Sequence, residues 1–363
     1  MNRIGAFSAA LCALVGGAAC SGSQAPQLTG LPSTSTVPKV KLEAKNKMKR
    51  LVYITDIWGT SAQTIDVAGY PLSANGPTSP SNTLGGDKLG MEFESEGIAV
   101  SPQGAIALDG QDGPSGSAAV NVYAPGASGN VAPSTIYACA GLGEPLALTY
   151  DASGNLYAMN FNLPRAGSNS IFVFPSGSSS GCPANTQTIF GNNTRLFGNP
   201  GGIAVYRKKI YAVMDSTGTA SAILEFPTSS NGNVTPTRRI TGSKTTLQIP
   251  DGIAVNGTGE IFVVDNYSYS VDVFAPGAHG NAAPIRVIHG AHTQLYDPVG
   301  VGISKDGRIF VVNSSFNSNV NGDSITVYAA NASGDAAPIA VIPGGHDYPK
   351  SEIGNPTALA IYQ

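Results

Sequence analysis

The chain has 363 residues, enough for one large fold or two ordinary domains. Only 12% are charged, 20 Lys and Arg against 23 Asp and Glu, about half the usual share. No basic stripe is available to neutralise phosphates, which argues against a nucleic-acid partner. A 42% hydrophobic share argues against a charged disordered body, and four histidines with four cysteines leave little material for a metal enzyme.

The first nineteen residues read as a secretory signal: Arg3, an apolar run from Ile4 to Val15, then small residues up to Ala19. The Ala18-Ala19-Cys20 ending resembles the bacterial lipoprotein box, with Gly17 departing from it where that family usually has Leu. The resemblance implies cleavage before Cys20 and a lipid on its thiol, and Ser21 fits the outer-membrane class. Plain cleavage after Ala19 is the alternative. Residues 20–48 are rich in Ser, Thr, Pro and Lys and read as a flexible linker, lipid-anchored or free. No later apolar stretch approaches the length of a bilayer span. The expected location is therefore exported, with a membrane reached only through the N-terminal lipid.

Residues 49–363 repeat. Gly97-Ile-Ala-Val100, Pro145-Leu-Ala-Leu148, Gly202-Ile-Ala-Val205, Gly252-Ile-Ala-Val255, Gly300-Val-Gly-Ile303 and Ala358-Leu-Ala-Ile361 recur every 48 to 58 residues, the range of propeller blades. A turn follows each copy, such as Ser101 to Gly104 or Ser304 to Gly307. Next comes a second strand ending in Asp or Asn (Asp56, Asp109, Asn160, Asp215, Asp265, Asn313), then third strands such as Val271-Asp-Val-Phe274, and finally a Pro/Gly/Asn turn into a fourth. Leu51 to Asp56 matches a second strand, Thr64 to Val67 a third and Thr78 to Leu84 a fourth, with no innermost strand ahead of them. Residues 356–362 supply an innermost strand with no blade behind it. Joining these fragments predicts an all-β, six-bladed propeller of four-stranded antiparallel blades, closed by the C-terminal strand.

This pattern of Gly-Ile-Ala-Val, Gly-x-Ile-Phe-Val-x-Asp and Ile-x-Val-Phe resembles the NHL-type propeller family over residues 50–363. The resemblance implies the fold; members of the family include protein-binding, RNA-binding and enzymatic proteins.

Loops joining strands two and three, with the connections between blades, share one mouth of the ring. They carry Trp58, Asp112, Arg165, Tyr267, Tyr269, Phe316 and Asp323. Trp58, Arg165, Tyr267, Tyr269 and Phe316 are the expected binding residues. The strand-two termini allow two readings. In one, Asp109, Asn160, Asp215, Asp265 and Asn313 supply oxygen ligands to calcium or a similar cation, as acidic and amide residues do in gluconolactonase-like six-bladed enzymes. In the other, each Asp or Asn caps the backbone of the following loop, and repetition in every blade favours this. His279, His289, His292 and His346 follow no ligand spacing. Cys139, ending the fourth strand of the second blade, and Cys182, in the turn before the fourth strand of the third, are an expected disulfide. No nucleophile elbow, phosphate loop or zinc-helix motif is present. The expectation is a monomeric, non-catalytic, cofactor-free propeller presenting its loop face to a protein or glycan. A lactonase- or lyase-like enzyme with a divalent metal at the mouth is the alternative.

Overall fold

A computed structural model of the protein describes residues 50–56, 67–90, 95–113, 117–161, 169–216, 221–315, 322–345 and 347–363, without the side chains of 56, 111–113 and 117. The signal segment, Cys20 and the linker lie outside the described residues, as do Trp58, Arg165, Phe316 and His346.

Among the described residues, six antiparallel sheets of four strands form the blades of a propeller, and the only helical pieces are two short 3-10 turns. The first blade is built from both ends of the body: Pro356–Tyr362 lies innermost against Leu51–Asp56, followed by Val67–Pro71 and Asn82–Leu84. In the closing ladder Val52 faces Ile361 and Ile54 faces Leu359.

Alternating β-branched and aromatic residues give each strand an apolar face on both sides of its sheet. The apolar side chains accordingly gather in six clusters, each between two neighbouring blades. Each third strand contributes one fully buried aromatic ring at the same register: Tyr70, Tyr123, Phe174, Phe226, Phe274 and Tyr328. Where the ring is a tyrosine its hydroxyl is also used. Tyr123 donates to Leu89 O at 2.6 Å and Tyr328 to Thr293 O at 2.6 Å, each in the connection entering its own blade. Tyr70 donates likewise to Ser351 O.

That aromatic position corrects two expectations. In the first blade Tyr70 fills the aromatic slot opposite Val52, so residues 67–70 take the register expected of Thr64 to Val67, whose first three residues lie outside the described residues. In the third blade, Leu148 pairs with Ala158 as Ile253 pairs with Val263, so Ala147, not Pro145, stands in the glycine place of the repeat. The small residue there has a packing reason. A Cβ on Gly252 would lie 2.8 Å from the Gly300 Cα of the next innermost strand.

The Gly-Asn turns between third and fourth strands do more than punctuate. Each runs out to the outermost strand of the preceding blade and bonds to it: Gly129 N to Thr83 O at 2.7 Å, Gly232 N to Thr188 O at 2.7 Å, Gly280 N to Arg239 O at 2.7 Å. Gly76 N does the same to Val341 O at 2.7 Å across the closing seam. The exposed edge of a sheet is thereby covered by its neighbour. The next residue grips the following connection: Asn130 Oδ1 accepts from Lys88 N, Asn233 Oδ1 from Asn193 N, Asn281 Oδ1 from Lys244 N and Asp335 Oδ1 from His292 N, at 2.7 to 2.8 Å. Between the second and third blades, Cys139 and Cys182 form a disulfide with Cα atoms 4.7 Å apart. Such a bond fits an oxidising compartment.

Candidate functional site at the loop face

The strand-two termini do not form one ring. Asn160, Asp265 and Asn313 occupy one register, each facing a serine on the third strand: Ser170, Ser270 and Ser324. Asp109 faces Val120, the pairing that Val264 makes with Val271, and so stands one residue early. Asp215 stands one residue late, after Met214, which faces Ala222. A one-residue slip turns a strand side chain to the opposite face, so these two point away from the side the other three share.

Hydrogen bonds account for what these groups do. Asn160 Oδ1 accepts from Gly143 N at 2.7 Å, and its amide donates to Gly141 O and Ser170 Oγ at 3.2 and 3.0 Å. Asn313 Oδ1 accepts from Tyr296 N at 3.1 Å. Asp265 takes Gln248 N at 2.6 Å on one oxygen, and Ser268 N and Oγ at 3.0 Å on the other. Asp109 accepts from Gly97 N at 2.8 Å and Ser95 Oγ at 2.5 Å, and burial pushes its carboxyl up to about 6. Among the described residues Asp215 receives a 3.4 Å contact from Ser221 Oγ and no backbone donor. Four of the five groups thus spend an oxygen on a backbone donor, as the capping reading expects. Among the described residues no three His, Cys, Asp or Glu side chains gather into a metal-holding group. Asp323 is also a buried anchor, accepting from Ser315 N at 2.7 Å and Asn355 N at 3.0 Å beside the closing strand.

The mouth of the central channel holds two acids that the sequence pattern did not single out. The innermost strands open on Glu96, Leu146, Gly201, Asp251, Val299 and Thr357 around an 80 Å³ chamber. A second chamber of 240 Å³ lies toward the hairpin end. Glu96 belongs to the second blade and Asp251 to the fifth, which are opposite in a ring of six. The Asp251 carboxyl is pushed up to about 7, first by its surroundings and then by the charges of Glu96, Asp215 and Asp265. The signal was present in the repeat as broken symmetry, since the same place in other copies holds Leu, Gly, Val or Thr.

Of the expected binding residues, Tyr267 and Tyr269 are described, and both reach solvent: 65% and 37% exposed. They occupy the strand-two-to-three turn of the fifth blade. Asp265 holds that turn through Ser268, and Asn266 N donates to Ile249 O at 2.9 Å. Tyr269 has φ 51, a left-handed conformation that L side chains rarely adopt. Its ring packs at 5.5 Å, tilted, against Tyr296, which projects from the connection into the sixth blade and is 39% exposed. The neighbouring Asp297 carboxylate raises the Tyr269 phenol above its ordinary value. Tyr296 is the member the sequence pattern missed. Of the histidines, His292 is tied to Asp335, its Nδ1 2.6 Å from Oδ2, and His289 Nδ1 lies 3.5 Å from Tyr269 O.

No family model matches the chain, and no curated protein does. Solved structures do match. A protein of unknown function from Bacteroides caccae superposes with a TM-score of 0.59 at 10% identity, over 87% of this chain and 99% of that one. A candidate 6-phosphogluconolactonase from Bacteroides fragilis gives 0.55 at 11% over 88% and 100%. One from Bacteroides uniformis gives 0.53 at 13% over 82% and 84%. At such identities the likeness is one of fold alone, and the fold it shares is the β-propeller.

Proposed function

We propose that the protein is an exported binding propeller that presents its loop face, at the boundary of the fifth and sixth blades, to a protein or glycan. The carrying observation is the exposed group Tyr267, Tyr269 and Tyr296, the first two on a turn held by the buried Asp265 carboxylate and the third on a backbone held by Asn313. Rings displayed on fixed turns offer contact area at little ordering cost. Lipidation of Cys20 would tether a monomer at the envelope, with the linker as its reach. A photo-crosslinking residue in place of Tyr267, introduced in the producing cell, should give one discrete adduct that the same residue in place of Lys244 does not. Equal labelling from both positions would sink this reading.

The mouth carboxylates favour a second reading, a lactonase- or lyase-like enzyme, with a divalent cation there as the implied cofactor. A carboxyl near 7 is half-ionised at neutral pH, the condition for a general acid or base. Hydrolysis of gluconolactone by the metal-replete protein, lost on Asp251→Asn, would support it. No turnover with any added divalent ion would leave the binding reading alone.

A further inference from the structure

We propose that the hairpin rim between the third and fourth blades, the end opposite the tyrosines, is a second binding site, for a uronic-acid saccharide. A cavity of about 740 Å³ opens there, a volume suited to a ligand of about two to three sugar rings. Pro175, Pro227 and Val173 give it an apolar wall for the C–H faces of a sugar. Asn185, Gln187 and the hydroxyls of Ser153, Thr228 and Ser229 supply donors and acceptors for vicinal hydroxyl groups.

Lys208 supplies the charge. Among the described residues it makes no ion pair, whereas Lys209 and Arg238 share Glu225, Arg286 pairs with Glu260 and Arg308 with Asp306. The one carboxylate lining the cavity is already engaged: Asp151 accepts from Ser153 N, Asn155 N, Asn155 Nδ2 and Tyr157 OH at 2.8 to 3.1 Å. A single ammonium matches a single sugar carboxylate, while a phosphate is better met by a guanidinium fork. The Tyr157 ring is only 1% exposed, so no aromatic platform is offered to a nucleobase.

The backbone under Lys208 departs from the repeat: four residues separate Val205 from its partner Ile210, where five separate Val255 from Ile261. The equivalent hairpins of four other blades turn on Gly104, Gly154, Gly259 and Gly307, with φ between 84 and 92. The fourth blade turns instead on Arg207 and Lys208, at φ 46 and 63, where Asn-Gly is the unstrained choice. Two cations held in the left-handed region are a cost, and such cost is characteristic of binding positions.

Titration of the full chain with trigalacturonate and with a hyaluronan tetrasaccharide tests the assignment. At least one acid saccharide should bind about tenfold more tightly than its methyl ester. Lys208→Gln should erase that preference without lowering the melting temperature. Lys244→Gln, on the loop face, should leave it intact. Equal affinity for acid and ester, no binding of either saccharide, or an equal loss in Lys244→Gln would overturn it.

Discussion

Cys182 takes in the third blade the place that Asn233 takes in the fourth, and its partner Cys139 takes the place of Gly191. Tyr137 bridges Gly181 as Ile189 bridges Gly232, which fixes the equivalence. At four boundaries the small residue exists because the amide or carboxylate fills its side-chain space: a Cβ on Gly86, Gly191, Gly242 or Gly290 would meet Asn130, Asn233, Asn281 or Asp335 at 2.4 to 2.7 Å. One blade boundary has exchanged a hydrogen-bonded grip for a covalent one.

Removing both thiols should therefore cost stability in two parts. Cys139→Ala with Cys182→Ala loses a bridge spanning 43 residues, worth about 3–4 kcal/mol in the loop-entropy account. Cys139→Gly with Cys182→Asn rebuilds the grip found elsewhere and should recover about 1 kcal/mol of it. Urea unfolding of the three proteins measures both; equal stability of the two double variants would refute the equivalence.

Asp265→Ala should lower stability by about 2 kcal/mol, because Gln248 N and Ser268 N lose a buried acceptor. If capping is its role, a chelator should leave the melting temperature of both the parent and the variant unchanged. A chelator-sensitive parent would return Asp265 to the list of metal ligands.

Stability should fall between about pH 4 and 7. Asp109 and Asp272 are raised to about 6 and Asp251 to about 7, so the folded chain holds protons that the unfolded chain has released. Their contribution is complete below the unfolded carboxylate value near 3.9 and is lost as pH rises through the folded values. Asp251→Asn, which cannot ionise, should gain on the parent across that window. Calorimetry at pH 4 and pH 8 reads the difference, and a constant offset would show that Asp251 has an ordinary pKa.

Lys208→Gly should raise stability by about 1 kcal/mol by relieving its left-handed backbone while abolishing acid-saccharide binding. Thermal melts and the titration above, run on one preparation, separate strain from function. A variant that is destabilised would show that the side chain is needed for packing instead.

The blades were legible because Ile261-Phe-Val-Val-Asp265 and its counterparts alternate with strand period and recur at blade spacing. The closure was legible because Pro356–Tyr362 lacked a blade and Leu51–Asp56 lacked an inner strand. Legibility failed by single residues. Asp109 and Asp215 look like Asp265 when strands are aligned by their last polar residue, yet pairing register, which a linear motif does not carry, sets them on the other face. Asp251 and Lys208 do not stand out in the sequence for a different reason. One sits at a strand opening and the other in a turn, where polar residues are ordinary, and only the neighbouring blades show that each is out of place.

The closing strand also sets an order in time. Thr55 meets Thr357 across 302 residues, and until that meeting the second strand of the first blade has an open inner edge. Contacts so distant in sequence slow folding, whatever the stability of the finished ring. A chain halted between residues 343 and 356 would carry five blades with their own strands and a sixth unsealed. Under the proposed export, ring closure would wait until both ends had crossed the membrane, so unfinished molecules would differ from finished ones by a single exposed strand.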